Sequence, residues 1–189
     1  TFGTDIHGFI GSLDKIGLTG VGMTVLDNGT ISELAFVAFQ CMFAVITPAL
    51  ITGAFAERMK FHAFVVFILL WALFIYNPMA HWVWGGGWLS ELGFHDFAGS
   101  AIVHMLGGTL SFVGAAILGP RIGKYTKDGK VNVIPGHNIL IGALGVLILW
   151  VGWFGFNPAS TGGLSEGGVQ VAAKVFITTN LAACAAAIT

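Results

Sequence analysis

The sequence predicts an all-α integral membrane protein with about five transmembrane helices. Hydrophobic residues make up 56% of the 189 residues and charged residues only 9%, against about 25% charged in a soluble domain. The apolar residues gather into runs of roughly 18–23, long enough at about 1.5 Å per residue to cross a 30 Å hydrocarbon core. The alternating ten-residue segments of a membrane β-barrel do not occur.

The elements follow in order along the chain. Residues 1–32 are polar and glycine-rich, with Asp5, His7, Asp14, Lys15 and Asp27; they read as an extracytoplasmic loop carrying at most a short helix. Residues 33–189 read as one transmembrane domain. Its first span, 33–56, ends at "AERMKF", and its second, 62–79, ends at "AHWVWGGGW". A third, 96–119, leads into "GPRIGKYTKDGK", a fourth, 137–157, stops at "NPAS", and a fifth, 169–189, is still apolar at the last residue. Starting at Thr1 and not at a Met, with no signal-peptide pattern and an apolar end, the chain is expected to be a piece of a longer protein.

Basic residues set the expected orientation. Arg58 and Lys60 share one loop and Arg121, Lys124, Lys127 and Lys130 another, leaving only Lys15 and Lys174 elsewhere. The two loops fall on one side if the spans alternate, and the positive-inside rule makes that side cytoplasmic in a cell membrane. Asp5, Asp14, Asp27, Glu33, Glu91, Asp96 and Glu166 fall on the other side, with Trp82, Trp84 and Trp88. An acidic outer face suits an entering cation. A net charge of −1 gives no basic patch for nucleic acid. Cys41 and Cys184 lie in apolar runs without a second ligand, so neither a disulfide nor a metal site is expected.

The segment "DFAGSAIVHMLGG", residues 96–108, places an acid and a histidine where an apolar residue would be cheaper. Asp96 is of the type preferred at a helix N-cap; capping alone accounts for it, and so does a charge that attracts a cation, the two being compatible. His104 lies eight residues on, roughly 12 Å deeper if the segment is helical. An ionisable residue at that depth is a functional candidate, with hydrogen bonding to a neighbouring helix as the plainer account. His62, His81 and His137 sit near span ends and read as interfacial. An aromatic belt explains Trp82 and Trp88, whereas three glycines after Trp84 suit a shaped vestibule. Phe39 and Phe43 share a helix face, as do Trp153 and Phe156, and either pair can be simple packing. Gly99, Gly107, Gly108, Gly152 and Gly155 permit close helix contact, and Ser160 offers a hydroxyl after the break at Pro158.

Taken together, "ITPALITGAFAERMKF", "AHWVWGGGW", "DFAGSAIVHMLGG" and "GWFGFNPAS" resemble, in order and spacing, the ammonium transporter (Amt/Mep/Rh) family over residues 33–189. Trp84 and Ser160 place the resemblance in the Amt branch. It implies part of an eleven-helix inverted-repeat fold, the third to seventh helices, assembled as a homotrimer with one pore per subunit. By the same resemblance Phe43, Trp84 and Ser160 match an external ammonium site, with Asp96 beneath it. Phe43 and Phe156 match a stacked gate, and Phe39 and Trp153 match further pore-lining aromatics. His104 matches one of two pore histidines, and Asp96 with His104 would relay protons. The second histidine belongs to a later helix than this sequence reaches.

The implied function is transmembrane transport of ammonium or ammonia, with no cofactor, no metal and no enzyme activity. A cytoplasmic regulatory protein is a further partner the family suggests. The alternative is an ammonium sensor, the same fold coupled to a downstream signalling domain. A haem-binding electron-transfer subunit would need two axial ligands at similar depth, and His104 alone is placed for that. No hydrolytic constellation occurs.

Overall fold

In lipid every backbone polar group must find its partner within the chain, which leaves helices for a sequence this apolar. The computed structural model describes residues 3–26, 31–165 and 167–189; Asp27 and Glu166, expected among the outer acids, lie outside them. Among the described residues five helical stretches are long and apolar enough to cross a membrane: Glu33–Phe55, Phe61–Glu91, Ser100–Leu118, Ile139–Thr161 and Gly168–Ile188. The chain divides into two units, one of Thr1–Val21 with Val37–Val133 and one of Gly22–Phe36 with Ile134–Thr189.

In the first unit, strand β1 (Asp5–Ile6) pairs antiparallel with β2 (Ile10–Gly11), so the polar N-terminal stretch is a hairpin and not a bare loop. His7 and Gly8 close it at φ 55° and 75°, the backbone of a primed hairpin turn. Helix α1 (Glu33–Leu50) enters this unit at Val37 and contains Pro48. The proline lacks a donor N–H, and the helix breaks at Ile51 before resuming as α2 (Thr52–Phe55).

The second span runs well past its expected end at Met79. Helix α3 (Phe61–Trp71) passes through a π turn, Ala72–Tyr76, into α4 (Asn77–Trp84), and α5 (Trp88–Glu91) follows the glycines. Pro78 stands two residues after the end of the π turn, in the first turn of α4, where the i→i+4 ladder is already interrupted, so it does not end the helix. The third span begins at Ser100, not Asp96. Gly99 sits at φ 100°, a left-handed conformation that stops a helix from extending back towards Asp96. From Ser100 a second π turn, Ser100–Met105, leads into α6 (Leu106–Leu118).

Helix α2 packs against α6 because Gly114 has no side chain. A Cβ there would lie 1.9 Å from Phe55 Cε1, and the Phe55 ring, 5% exposed, also meets Phe64 and Phe67 edge-to-face. Gly114→Ala is expected to destabilise the protein by about 1–3 kcal/mol, the usual cost of overpacking. Thermal unfolding in detergent checks this, and adding Phe55→Leu should recover part of the loss. Gly107 is in ordinary contact with Leu50, whereas a Cβ at Gly108 would meet open space among the described residues. Gly114 thus does what the sequence reading assigned to Gly108. At the same end of the unit Arg121 Nε lies 3.5 Å from Glu57 Oε2, so the two basic loops meet. The pair is half-exposed and adds little stability.

In the second unit, Asn138 caps α7 (Ile139–Phe156): its Oδ1 accepts the Leu140 and Ile141 N–H groups at 2.9 and 3.3 Å. A 3₁₀ turn, Pro158–Thr161, follows, then α8 (Gly168–Ile188). Two polar pairs join α7 and its C-cap residue Asn157 to α8. Trp150 Nε1 donates to Asn180 Oδ1 at 3.2 Å and Asn157 Nδ2 to Thr179 Oγ1 at 3.0 Å. Such bonds between membrane helices contribute about 0.6–2 kcal/mol each. Gly152 and Gly155, expected at a close contact, have open space beside them among the described residues.

Candidate functional site

Polar atoms of the first unit gather on Asp96. It precedes the third span by four residues, is 6% exposed, and accepts from five donors. Its Oδ1 takes the Gly99 N–H at 2.7 Å, the Ser100 N–H at 2.9 Å and the Ser100 hydroxyl at 3.2 Å; its Oδ2 takes the Ala101 and Ile102 N–H groups, both at 2.9 Å. The first amides of a helix have no partner within it and lie at the positive end of its dipole. Asp96 meets both needs. An ionised carboxylate offers about four acceptor sites, and those of Asp96 are taken up by its own chain.

The main chain of Asp96 orients an aromatic. Its carbonyl accepts from Trp84 Nε1 at 2.6 Å. Phe43, 2% exposed, meets the Trp84 ring edge-on at 5.2 Å between centroids and the Phe39 ring at 4.9 Å. Edge-to-face rings at these separations are favourable beyond the area they bury. Gly99 makes the cluster close: a Cβ there would lie 2.7 Å from Val103 Cγ2 and 3.7 Å from Phe43 Cδ1.

His104 is the fifth residue of its span, roughly 6 Å from the helix start, because residues 96–99 are not helical. The 12 Å expected from Asp96 assumed one continuous helix, which the left-handed Gly99 interrupts. It is half-buried, and its Nδ1 lies 3.1 Å from the Gly99 carbonyl. A carbonyl only accepts, so Nδ1 carries the hydrogen in this bond. The same carbonyl takes the backbone N–H of His104 at 3.0 Å, an i→i+5 bond of the π turn. Widened turns of this kind recur at functional positions, and nothing in the residue pattern announced this one.

The first unit therefore brings Phe39, Phe43, Trp84, Asp96 and His104 into one connected set. Trp153, Phe156 and Ser160 belong to the second unit. Trp153 and Phe156 lie in the last turns of α7, and the Ser160 hydroxyl donates to the Phe156 carbonyl at 3.0 Å. His62 and His137 are exposed. His81 is not the interfacial residue expected: it is 0% exposed, with Nε2 2.7 Å from Asp5 Oδ1. Hydrogen bonds from His81, and then from the Gly8 amide, hold the Asp5 carboxyl below its ordinary value. Cys41 and Cys184 are free thiols. No group of three or more His, Cys, Asp or Glu among the described residues is arranged to hold a metal ion.

Comparison with known proteins gives one consistent result. The family model described as Ammonium Transporter Family matches residues 1–189. The "Ammonium transporter" of Bacillus subtilis (strain 168) is 47% identical over 180 residues, which is 95% of this chain and 42% of that protein. The "Ammonium transporter" of Aquifex aeolicus (strain VF5) is 44% identical over 97% of this chain and 42% of its own. Among solved structures, a "Sensor Amt Protein" matches with TM-score 0.77 and 38% identity, covering 88% of this chain and 42% of that one. Saccharomyces cerevisiae Mep2 matches with TM-score 0.74 and 34% identity, over 87% of this chain and 36% of that one. The chain spans about two-fifths of the length of these relatives.

Proposed function

The chain belongs to the Ammonium Transporter Family, and from that premise we propose that the full-length protein carries ammonium or ammonia across a cell membrane. The observation that best supports this is the edge-on pair of Phe43 and Trp84, 5.2 Å apart beside the buried Asp96. Aromatic faces attract a cation by about 0.5–2 kcal/mol each. Taking the ion into the hydrocarbon core costs roughly 20 kcal/mol by the Born estimate and several after relaxation. Aromatics can therefore hold ammonium at a mouth but not carry it through. The ion must shed its proton, and neutral ammonia then crosses.

In this reading Phe43 and Trp84 recruit ammonium, with Ser160 assigned to the same step by the family resemblance. Asp96 supports the site and stands nearest to where the proton leaves. Phe43 and Phe156 gate the path, Phe39 and Trp153 line it, and His104 offers Nε2 to ammonia or to a relayed proton. The Asp5–Trp88 end faces outward and the loops with Arg58, Lys60 and Arg121–Lys130 face the cytoplasm, where a regulatory protein would bind. The assembly is a homotrimer.

Uptake of ammonium by the full-length protein in proteoliposomes tests this. Saturable uptake is expected, with Trp84→Leu raising the half-saturation concentration by about two- to thirtyfold, the equivalent of one cation–π contact. No uptake by the unaltered protein, or an unchanged constant in the variant, overturns the reading. A second reading, an ammonium receptor, is favoured by the match to a solved "Sensor Amt Protein". A signalling module in the downstream sequence, with ammonium binding but no uptake, would establish it.

A further inference from the structure

A histidine with no exposed surface needs a reason, since a buried polar ring is costly without a hydrogen bond and an apolar residue would fill the space. His81, on α4, is bonded at both ends of the residue. Its ring Nε2–H donates to Asp5 Oδ1 at 2.7 Å. Its backbone carbonyl accepts the Gly85 and Gly87 amides at 2.9 and 3.1 Å, so it also closes the glycine turn that directly follows Trp84. The hairpin grips the same turn. The Gly8 carbonyl accepts the Trp88 N–H at 3.0 Å, and the Phe9 carbonyl accepts Trp82 Nε1–H at 2.8 Å. Gly87 is packed into this knot, where a Cβ would fall 2.6 Å from Trp82 Cα and 2.8 Å from the Gly8 carbonyl oxygen. Asp5 shapes the hairpin too, its two carboxylate oxygens accepting the Gly8 N–H at 3.1 and 3.0 Å.

Trp84 thus stands between two fixed points. On one side its indole is tied to the Asp96 carbonyl; on the other its main chain runs into a turn held by His81 and the hairpin. We propose that Asp5 and His81 are positioning residues for the ammonium site: their hydrogen bond locks the N-terminal hairpin onto the glycine turn and so sets the orientation of Trp84. This rests on the reading of Trp84 as a recruitment residue. The pair touches no substrate and acts through the turn.

The test uses Asp5, whose side chain is 38% exposed and which lies on strand β1, outside the helices. In the full-length protein, Asp5→Ala is expected to raise the half-saturation concentration for ammonium uptake by about three- to tenfold, the loss of one hydrogen bond. The maximal rate should stay within about twofold, since the interaction lost serves binding alone. Asp5→Asn keeps an Oδ1 that accepts from both His81 and Gly8, and should restore the constant. Amide hydrogen exchange supplies a readout independent of transport: Asp5→Ala should speed exchange in the peptide covering residues 81–88 while α3 and α6 stay protected. An unchanged half-saturation concentration in Asp5→Ala overturns the proposal. So does a loss of maximal rate that Asn fails to rescue. Should the unaltered protein take up no ammonium, the transport reading falls, and exchange at 81–88 alone decides whether the pair orders the turn.

Discussion

Asp96→Ala is expected to reduce ammonium uptake by the full-length protein to background and to lower its thermal midpoint in detergent, and Asp96→Asn to recover neither. The carboxylate accepts the N–H groups of Gly99, Ser100, Ala101 and Ile102 at a position 6% exposed to solvent. A buried amide left without a partner costs roughly 1–3 kcal/mol. Two that water cannot reach would remove about 2–6 kcal/mol from a fold whose net stability is of order 5–15 kcal/mol. The loss would also free residues 96–99, and with them the carbonyl that holds Trp84. Asparagine has one acceptor oxygen where two are needed, and its amide group would face a pair of N–H donors. A mere cation attractor predicts otherwise: Asn would keep the thermal midpoint and weaken only binding. Unfolding curves together with uptake at several ammonium concentrations separate the two, and an Asn variant as stable as the parent would refute the anchoring account.

The number of spans was legible because hydrocarbon thickness imposes a length, and each run of apolar residues declares itself against so few charges. Limits of the spans were less legible where local chemistry has two readings. Pro78 after Asn77 signals a helix end in most settings; here a π turn precedes it and the helix continues to Trp84. Asp96 signals a helix start, yet the left-handed Gly99 delays the helix to Ser100 and turns the capping residue into an acceptor for four amides at once. The sequence named Asp96 and His104 as polar residues in an apolar segment, because their chemistry is conspicuous there. It could not pair His81 with Asp5, since 76 residues separate them and neither is unusual in its own surroundings. Nor did it single out Gly114, one small residue among many, whose importance comes entirely from the Phe55 ring facing it.

These features share a physical logic. The charge in this region is placed where main-chain dipoles can neutralise it, at the start of the third helix, and not within the span. Further along the same span stands the ring of His104, fixed by donation from Nδ1 to the Gly99 carbonyl at 3.1 Å. Gly99 is therefore common to both, its amide serving Asp96 and its carbonyl serving His104.

That arrangement makes His104 the sharpest test of the proposed separation of ammonia from its proton. His104→Ala is expected to lower ammonium uptake and ammonium-driven current in the full-length protein by about a hundredfold or more, the scale of a lost acid–base group. Alanine alone would not identify the cause, since it also removes the side chain that bonds the Gly99 carbonyl. His104→Asn supplies the control. Its amide N–H can still donate to the Gly99 carbonyl, which preserves the hydrogen bond of the π turn. It has nothing equivalent to Nε2, a nitrogen lone pair able to take up and return a proton. If the ring relays protons or holds ammonia through Nε2, Asn should be as inactive as Ala while retaining the parent's thermal midpoint. If the residue serves only to anchor the turn, Asn should restore both uptake and current, and the relay role assigned to His104 would have to be given up. Undiminished current in the Ala variant would lead to the same conclusion with a single substitution.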